Sequence, residues 1–420
     1  MPRSPEPTSA ASSSAAGAAS GAGAGVDRAA LFAQWDALTP ERLRAQGSMK
    51  WTLFPNTIGA WVAESDLGTA PAVTAALHAA VEAGHLGYLP RAVAAEHAAA
   101  TSDWMRDRYD WVVPRSRIHH LPDVISGLDV AIEHYSRPGS AVIVPTPAYM
   151  PFLTVPQRHG RTVVEVPLAV ETIGDGARQI LDLEAIEREL AAGAGLVVLC
   201  NPLNPGGRVF ERAELAALAE VVERHDARVF ADEVHAPIVF DGAQHVPYAS
   251  VSAAAASHSI TVTSASKAFN LAGTKAAQLI LTNDADAEVW QKLGPMAGHG
   301  ASILGIIANT AAYREGCDWL AATVAYYDEN RRALRDLLAE RLPEVGYRMP
   351  EGTYIAWLDV RRLGLGDDPA ATLRERAGLA VTDGRACGAA GAGHVRVILA
   401  TARPVVASIV DALARAAQPA

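Results

Sequence analysis

Three short apolar runs, each ending in a polar residue of a different kind, constrain this chain more than any other feature. LVVLC at 196–200 leads into the loop NPLNPGG, the run at 227–231 ends in Asp232, and ITV at 260–262 passes through Thr263, Ser264 and Ser266 to Lys267. Short apolar runs bounded by turn residues read as buried strands. In the first loop two Asn-Pro steps stiffen the backbone and two glycines let it approach a ligand, so Asn204 becomes a side-chain donor in a rigid turn. Asp232 is followed three residues on by His235. After Lys267 come Phe269, Asn270 and Gly273, then a second buried run, 277–281.

Taken singly, these features describe a surface lysine, a helix cap and an ordinary strand-to-helix turn. Their order is more specific. A lysine amine withdrawn from water has a lowered pKa and can form a Schiff base with a carbonyl. Serines beside it could hold a phosphate, and a carboxylate at a strand end can pair with a protonated pyridine nitrogen. Those are the requirements of pyridoxal phosphate (PLP), which needs a lysine Schiff base and an acidic partner for its ring.

The rest of the pattern fits a doubly covered sheet. Strands are expected at 141–144 and 161–166, and helices at 71–84, 94–109, 183–192 and 212–224. Alternating strands and helices imply a parallel sheet with helices on both faces, and ligands in such sheets lie beyond the strand carboxyl ends. Leu31, Phe32, Trp35 and Leu38 have helical spacing, 49–66 reads as an extended arm, HGASILG at 299–305 opens a helical region reaching 342, and 345–360 is strand-rich. A chain of 420 residues, half of them hydrophobic, suits one large α/β unit with a smaller one. Residues 1–25 are rich in Ala, Ser and Gly and read as a disordered tail without the apolar core of a secretory signal. A net charge of −10 argues against nucleic acid or an anionic membrane as partner. There is no uncharged apolar run of about 20 residues. Cys200, Cys317 and Cys387 are too few and too scattered for a disulfide framework or a zinc site, so no metal is expected and a reducing cytoplasm is the expected location.

With these residues in place, the chain resembles the fold-type I PLP enzymes of the aminotransferase class I/II superfamily, and within them the cystathionine β-lyase, or C–S lyase, branch. The resemblance runs from about residue 49 to about 401. It rests on KW (Lys50, Trp51), WVAESD (61–66), GYLP (87–90), PAYMPF (147–152), NPLNPGG, ADEVH, SASKAFNLAG, GTYIAWLD (352–359) and HVRVILAT (394–401). It implies an α/β fold: a large PLP-binding domain at 67–300 with a mainly parallel sheet covered by helices, and a smaller α/β domain at 301–420. Residues 26–66 would then be an N-terminal helix and arm, part of the small domain and a contact in a homodimer with shared active sites.

The resemblance also implies roles. Lys267 would carry PLP and move the substrate α-proton, Asp232 would pair with the pyridine nitrogen, and Asn204 and His235 would reach the ring 3-oxygen. Tyr149 would stack on the ring. Ser264, Lys275 and the amides of Gly127 and Leu128 would hold the phosphate, with Tyr88 reaching it from the neighbouring subunit. Arg396 would grip the substrate carboxylate through two parallel hydrogen bonds, and Trp61 and Tyr354 would line the substrate pocket. Departures from the family pattern are Glu64, Ser65 and Leu67, where Asp, Met and Phe are usual, Asp129 near the phosphate, and Ile398 in place of a polar residue often found there. The implied reaction is C–S β-elimination on cystathionine or an S-substituted L-cysteine, giving a thiol, ammonia and pyruvate. The alternatives are an aminotransferase and a PLP-binding regulatory protein.

Overall fold

The computed structural model describes residues 27–173 and 176–418; the expected tail at 1–25 lies outside them. Seven strands form the main sheet: β1 (Ile118–Leu121), β2 (Val142–Thr146), β3 (Val163–Pro167), β4 (Leu196–Cys200), β5 (Arg228–Asp232), β6 (Ser259–Thr263) and β7 (Ala277–Leu281). Their order is β1-β7-β6-β5-β4-β2-β3. Every residue of β2, β4, β6 and β7 is buried, as strands covered on both faces must be.

Pairing is parallel from β3 through β2, β4 and β5 to β6. The sheet is thus mainly parallel, as expected; the exception is β7, which is antiparallel to both β6 and β1. The cause is the connection. Between β6 and β7 the chain makes the lysine turn and a single 3-10 turn at Ala272–Thr274, with no helix to carry a crossover, so it returns alongside. Register places Cys200 opposite Asp232 and Asp232 opposite Val262, so the carboxyl ends of β4, β5 and β6 open on one edge.

A second sheet contains β8 (Gly346–Tyr347), β9 (Ile355–Asp359), β10 (Thr382–Asp383) and β11 (His394–Ile398), antiparallel in the order β8-β9-β11-β10. The expected helical region from 299 is two helices, Ile303–Glu315 and Cys317–Arg341. They part at Gly316, where a Cβ would lie 2.4 Å from the Phe269 ring. Asn330 on the longer helix donates to the carbonyls of Leu399 (2.9 Å) and Thr401 (2.8 Å), fixing the chain just after β11.

The arm at 49–66 is not extended as expected. It contains a short helix, Met49–Thr52, and a two-residue strand, Ile58–Gly59, paired with Leu379–Ala380. It folds back because Lys50 is buried and needs a partner. Its ammonium donates to Asp66 (2.8 Å) and to the carbonyls of Glu64 (3.2 Å) and Ala400 (3.0 Å). The indole of Trp51 donates to the other Asp66 oxygen at 2.9 Å.

Two apolar cores result. One surrounds the main sheet and includes Leu128, Ile143, Val198, Phe230, Ile260 and Leu279. The other joins Trp35, Leu43 and Trp51 to Phe269, Trp319, Tyr326, Leu358 and Val397. Strand β6 belongs to the first, while Ala265, Ala268 and Phe269 belong to the second, so Lys267 stands at their seam. No described helix is long and apolar enough to cross a membrane.

Candidate active site

The lysine turn is built by small residues. Buried Ser264 donates its hydroxyl proton to the Ala276 carbonyl (2.7 Å) and accepts the Ser266 amide (3.0 Å), tying the turn to the start of β7. The Lys267 ammonium donates to the Ala63 carbonyl at 3.2 Å. Burial, aided by the Arg396 guanidinium and opposed by Asp232 and Glu64, lowers its pKa to about 8. At neutral pH about a tenth of the amine is therefore free base, far more than for a solvated lysine.

Asp232 closes β5 and accepts the Val234 amide at 3.0 Å. Burial raises its pKa to about 7, against the pull of that amide and of Lys267. A carboxyl held in this way gains from a fixed cation brought beside it. His235 is buried with its ring T-shaped to that of Tyr354 (centroids 5.7 Å apart), and among the described residues its Nδ1 has no hydrogen-bond partner. Burial, with Lys267 and Arg396 nearby, pushes the imidazole well below its ordinary pKa, so it is neutral.

Arg396 comes from β11 and is almost fully buried. It donates to Asn204 Oδ1 (3.2 Å), to the Trp61 carbonyl (2.9 Å) and to the Thr382 hydroxyl (3.3 Å), while its Nε is unpartnered. Tyr354 is buried and donates to the same Ala63 carbonyl that Lys267 uses (3.1 Å). Tyr149 is half-buried, edge-on to Phe152; burial raises its phenol pKa, with Arg396 and Asp232 among the charges it feels. Lys267, Asp232, Asn204, His235, Tyr149, Arg396 and Tyr354 thus converge on one cleft.

Other expected residues fall differently. The helix that the amides of Gly127 and Leu128 were expected to open begins at Val124, capped by Asp123, which accepts the Ser126 amide at 2.8 Å. The Gly127 amide already bonds the Asp123 carbonyl (3.4 Å), so the amides heading the helix are those of Val124 and Ile125, not of Gly127 and Leu128. Gly127 supplies room instead: a Cβ there would lie 2.6 Å from Val262 on β6. Lys275 pairs with Asp123 at 2.8 Å. Asp129 pairs with His159 at 2.8 Å.

The indole of Trp61 is engaged with the Lys50 carbonyl (3.1 Å) and the Phe54 ring (5.4 Å), so what it brings to the cleft is its own carbonyl on Arg396. Two of the departures are structural. Ser65 is buried, accepting from Tyr327 (2.8 Å) and paired through its backbone with Asn270 (2.9 and 3.0 Å). Ile398, expected near substrate, is fully buried opposite Ile355, where a polar side chain would be costly. Tyr88 is 95 % exposed and stands outside the cleft of its own chain.

Residues 62–413 match the family described as aminotransferase class I and II. The chain belongs to that family. Among its members, a cystathionine β-lyase of Corynebacterium glutamicum is 38 % identical over 351 residues, covering 83 % of this chain and 91 % of that protein. A solved putative PLP-dependent β-cystathionase from Corynebacterium diphtheriae superposes with a TM-score of 0.84 at 40 % identity, covering 90 % of this chain and 98 % of the other. A PLP-bound C–S lyase from Staphylococcus hominis superposes with a TM-score of 0.82 at 26 % identity, covering 89 % and 96 %. This family member also uses residues that its sequence did not announce. Ala63 offers only a carbonyl, and Thr382 bridges Trp61 (2.8 Å) and Arg396 from an unremarkable stretch. Register with Arg396 across β10 and β11 is the one signal that finds Thr382.

Proposed function

We propose that this chain is a PLP-dependent C–S β-lyase that acts on cystathionine or another S-substituted L-cysteine. The observation that carries the reading is the placement of half-buried Lys267, just past the end of β6, near buried Asp232 at the end of the adjacent β5, with the amine lowered to about 8 and the carboxyl raised to about 7. The residues fit the cofactor in two further ways. Among the described residues the buried Nδ1 of His235 has no hydrogen-bond partner. Val124 and Ile125 head a helix with Lys275 nearby, which suits a phosphate.

Lys267 would hold PLP through its amine, Asp232 would face the ring nitrogen, and Asn204 and His235 would lie along the ring's oxygen edge with Tyr149 on its face. Bound there, PLP supplies the electron sink for the charge left when a Cα–H bond breaks. Arg396 binds the substrate carboxylate and fixes Cα near Lys267. The Lys267 amine, released when the substrate's own amino group takes its place, would accept the α-proton, and its lowered pKa matches that task at neutral pH. The Cβ–S bond then breaks, the sulfur leaves as thiolate and is protonated, and hydrolysis of the remaining fragment gives pyruvate and ammonia. Tyr354 and Trp61 hold the wall at Ala63 and Arg396 in place.

The test is a product count. Given L-cystathionine or S-alkyl cysteines and no keto acid, the enzyme should release pyruvate, ammonia and thiol in equal amounts over many turnovers. If no thiol forms, while an added keto acid starts steady amino-group transfer, the protein is an aminotransferase instead.

The reading includes a homodimer. Tyr88 and Leu86 are exposed, as are Met49 and Leu53, and exposed apolar side chains of this size are what a second copy can cover. Tyr88 from one subunit would complete the phosphate site of the other. Mixing impaired Tyr88→Ala and Lys267→Ala chains should then restore activity, approaching about a quarter of wild type for random exchange into two-fold dimers. No recovery on mixing, or full activity in a sedimenting monomer, rules out the shared site.

A further inference from the structure

Glu64 has a place in the cleft that the roles above do not use. It follows Ala63, whose carbonyl receives both Lys267 (3.2 Å) and Tyr354 (3.1 Å). It precedes Ser65, which Asn270 and Tyr327 lock in place. Its backbone is therefore fixed on both sides. One carboxylate oxygen accepts the Lys50 amide at 3.2 Å, which orients the group. Asp66, two residues on, is paired with Lys50, whereas among the described residues Glu64 makes no ion pair with any cation. The side chain is half-buried, and its charge is felt at both Lys267 and Tyr354.

The cleft already has a cation, Arg396, for the α-carboxylate. An oriented carboxylate one residue past the Lys267 contact, with an oxygen to spare, suits a positive group further along the substrate. Charge-assisted hydrogen bonds in partly dry sites are the strong ones. S-alkyl cysteines have nothing to offer such a group, whereas a leaving group that carries an ammonium does.

We propose that Glu64 is a specificity-determining residue that receives an ammonium on the leaving-group side of the substrate, so that the enzyme favours thioethers bearing an aminoalkyl chain, cystathionine among them, over those with neutral tails. This rests on the lyase reading.

The test compares S-aminoethyl-L-cysteine with S-propyl-L-cysteine, which differ in a terminal ammonium against a methyl. Glu64→Gln keeps an oxygen for the Lys50 amide and removes only the charge; retained PLP absorbance and circular dichroism check the fold. The ratio of kcat/KM for the aminoethyl over the propyl substrate should fall by roughly tenfold or more in the variant, the scale of a hydrogen bond to a charged group. An unchanged ratio overturns the proposal, even where both rates fall together.

A second arm does not need C–S chemistry. Binding of L-lysine and of straight-chain α-aminoheptanoate, which match the two thioethers in length and have no leaving group, is measured by calorimetry on the PLP-loaded protein. Wild type should prefer lysine, and Glu64→Gln should lose that preference. Absence of thiol release by wild type defeats the lyase reading alone; an equal lysine preference in wild type and variant defeats the Glu64 assignment alone.

Discussion

Lys267→Ala should abolish turnover while leaving the protein folded. The amine makes a single hydrogen bond, to Ala63 at 3.2 Å, so its loss removes little that holds the cleft together. It does remove the group proposed to move the α-proton, and proton transfer by a positioned side chain is worth roughly 10²–10⁴-fold by itself. Loss of the covalent hold on the cofactor adds to that. Steady-state assay should therefore show a fall of at least about a thousandfold, with a thermal midpoint close to wild type. Borohydride reduction of the wild-type protein followed by peptide mapping should put the PLP label on Lys267. A label on Lys275, or a variant retaining a tenth of its activity, sinks the assignment.

Lys50→Met is expected to produce the largest loss of stability among single changes outside the catalytic cleft. The Lys50 and Asp66 side chains are 0 % and 3 % exposed. Removing the ammonium strands the Asp66 carboxylate, with only the Trp51 indole left on it (2.9 Å). Breaking one partner of a buried ion pair costs about 3–5 kcal/mol, because the other charge stays buried and unpaired. Denaturant unfolding should show a loss on that scale. The double variant Lys50→Met with Asp66→Leu should recover a large part of it, since replacing both charges by apolar groups is often close to neutral. A loss under about 1 kcal/mol for the single variant, typical of surface pairs, would mean that the pair is solvated. Because the same ammonium holds the carbonyls of Glu64 and Ala400, the variant should also lose substrate selectivity before it loses its fold.

What could be read in advance divides along physical lines. Strands buried on both faces write themselves as unbroken apolar runs, and the expected runs at 196–200 and 277–281 coincide with Leu196–Cys200 and Ala277–Leu281. The same pattern carries no information about direction, and β7 pairs the other way because of what its connection lacks. The arm at 49–66 was opaque for a different reason. A lysine and an aspartate far apart in sequence read as solvated charges by default, and only the folded chain brings them together in the dry. At the head of the helix Val124–Val130, the amides of Gly127 and Leu128 were expected to face the phosphate, but a helix starts where a side chain caps its amides, and that is at Asp123. Asn204, Asp232 and Lys267 stood out in the sequence because each lies at or just past the end of an apolar strand and has a chemistry of its own. Thr382 was not, since its part depends on standing across from Arg396 in a strand of two residues.

Arg396 and Asn204 meet at 3.2 Å, the first on β11 of the second sheet and the other in the loop after β4 of the main sheet. The amine end of the cleft is clamped within the main sheet, which continues on both sides of the lysine turn. The guanidinium end hangs on β11, and its height is set from behind by the helix Cys317–Arg341 through Asn330. Trimming or enlarging an apolar residue under that helix should, like a shim, shift the guanidinium relative to the amine with no reacting group altered. A lineage of such enzymes can thus regauge itself for longer or shorter substrates through residues that never meet them, and a directed-evolution library confined to the cleft would leave that adjustment untouched.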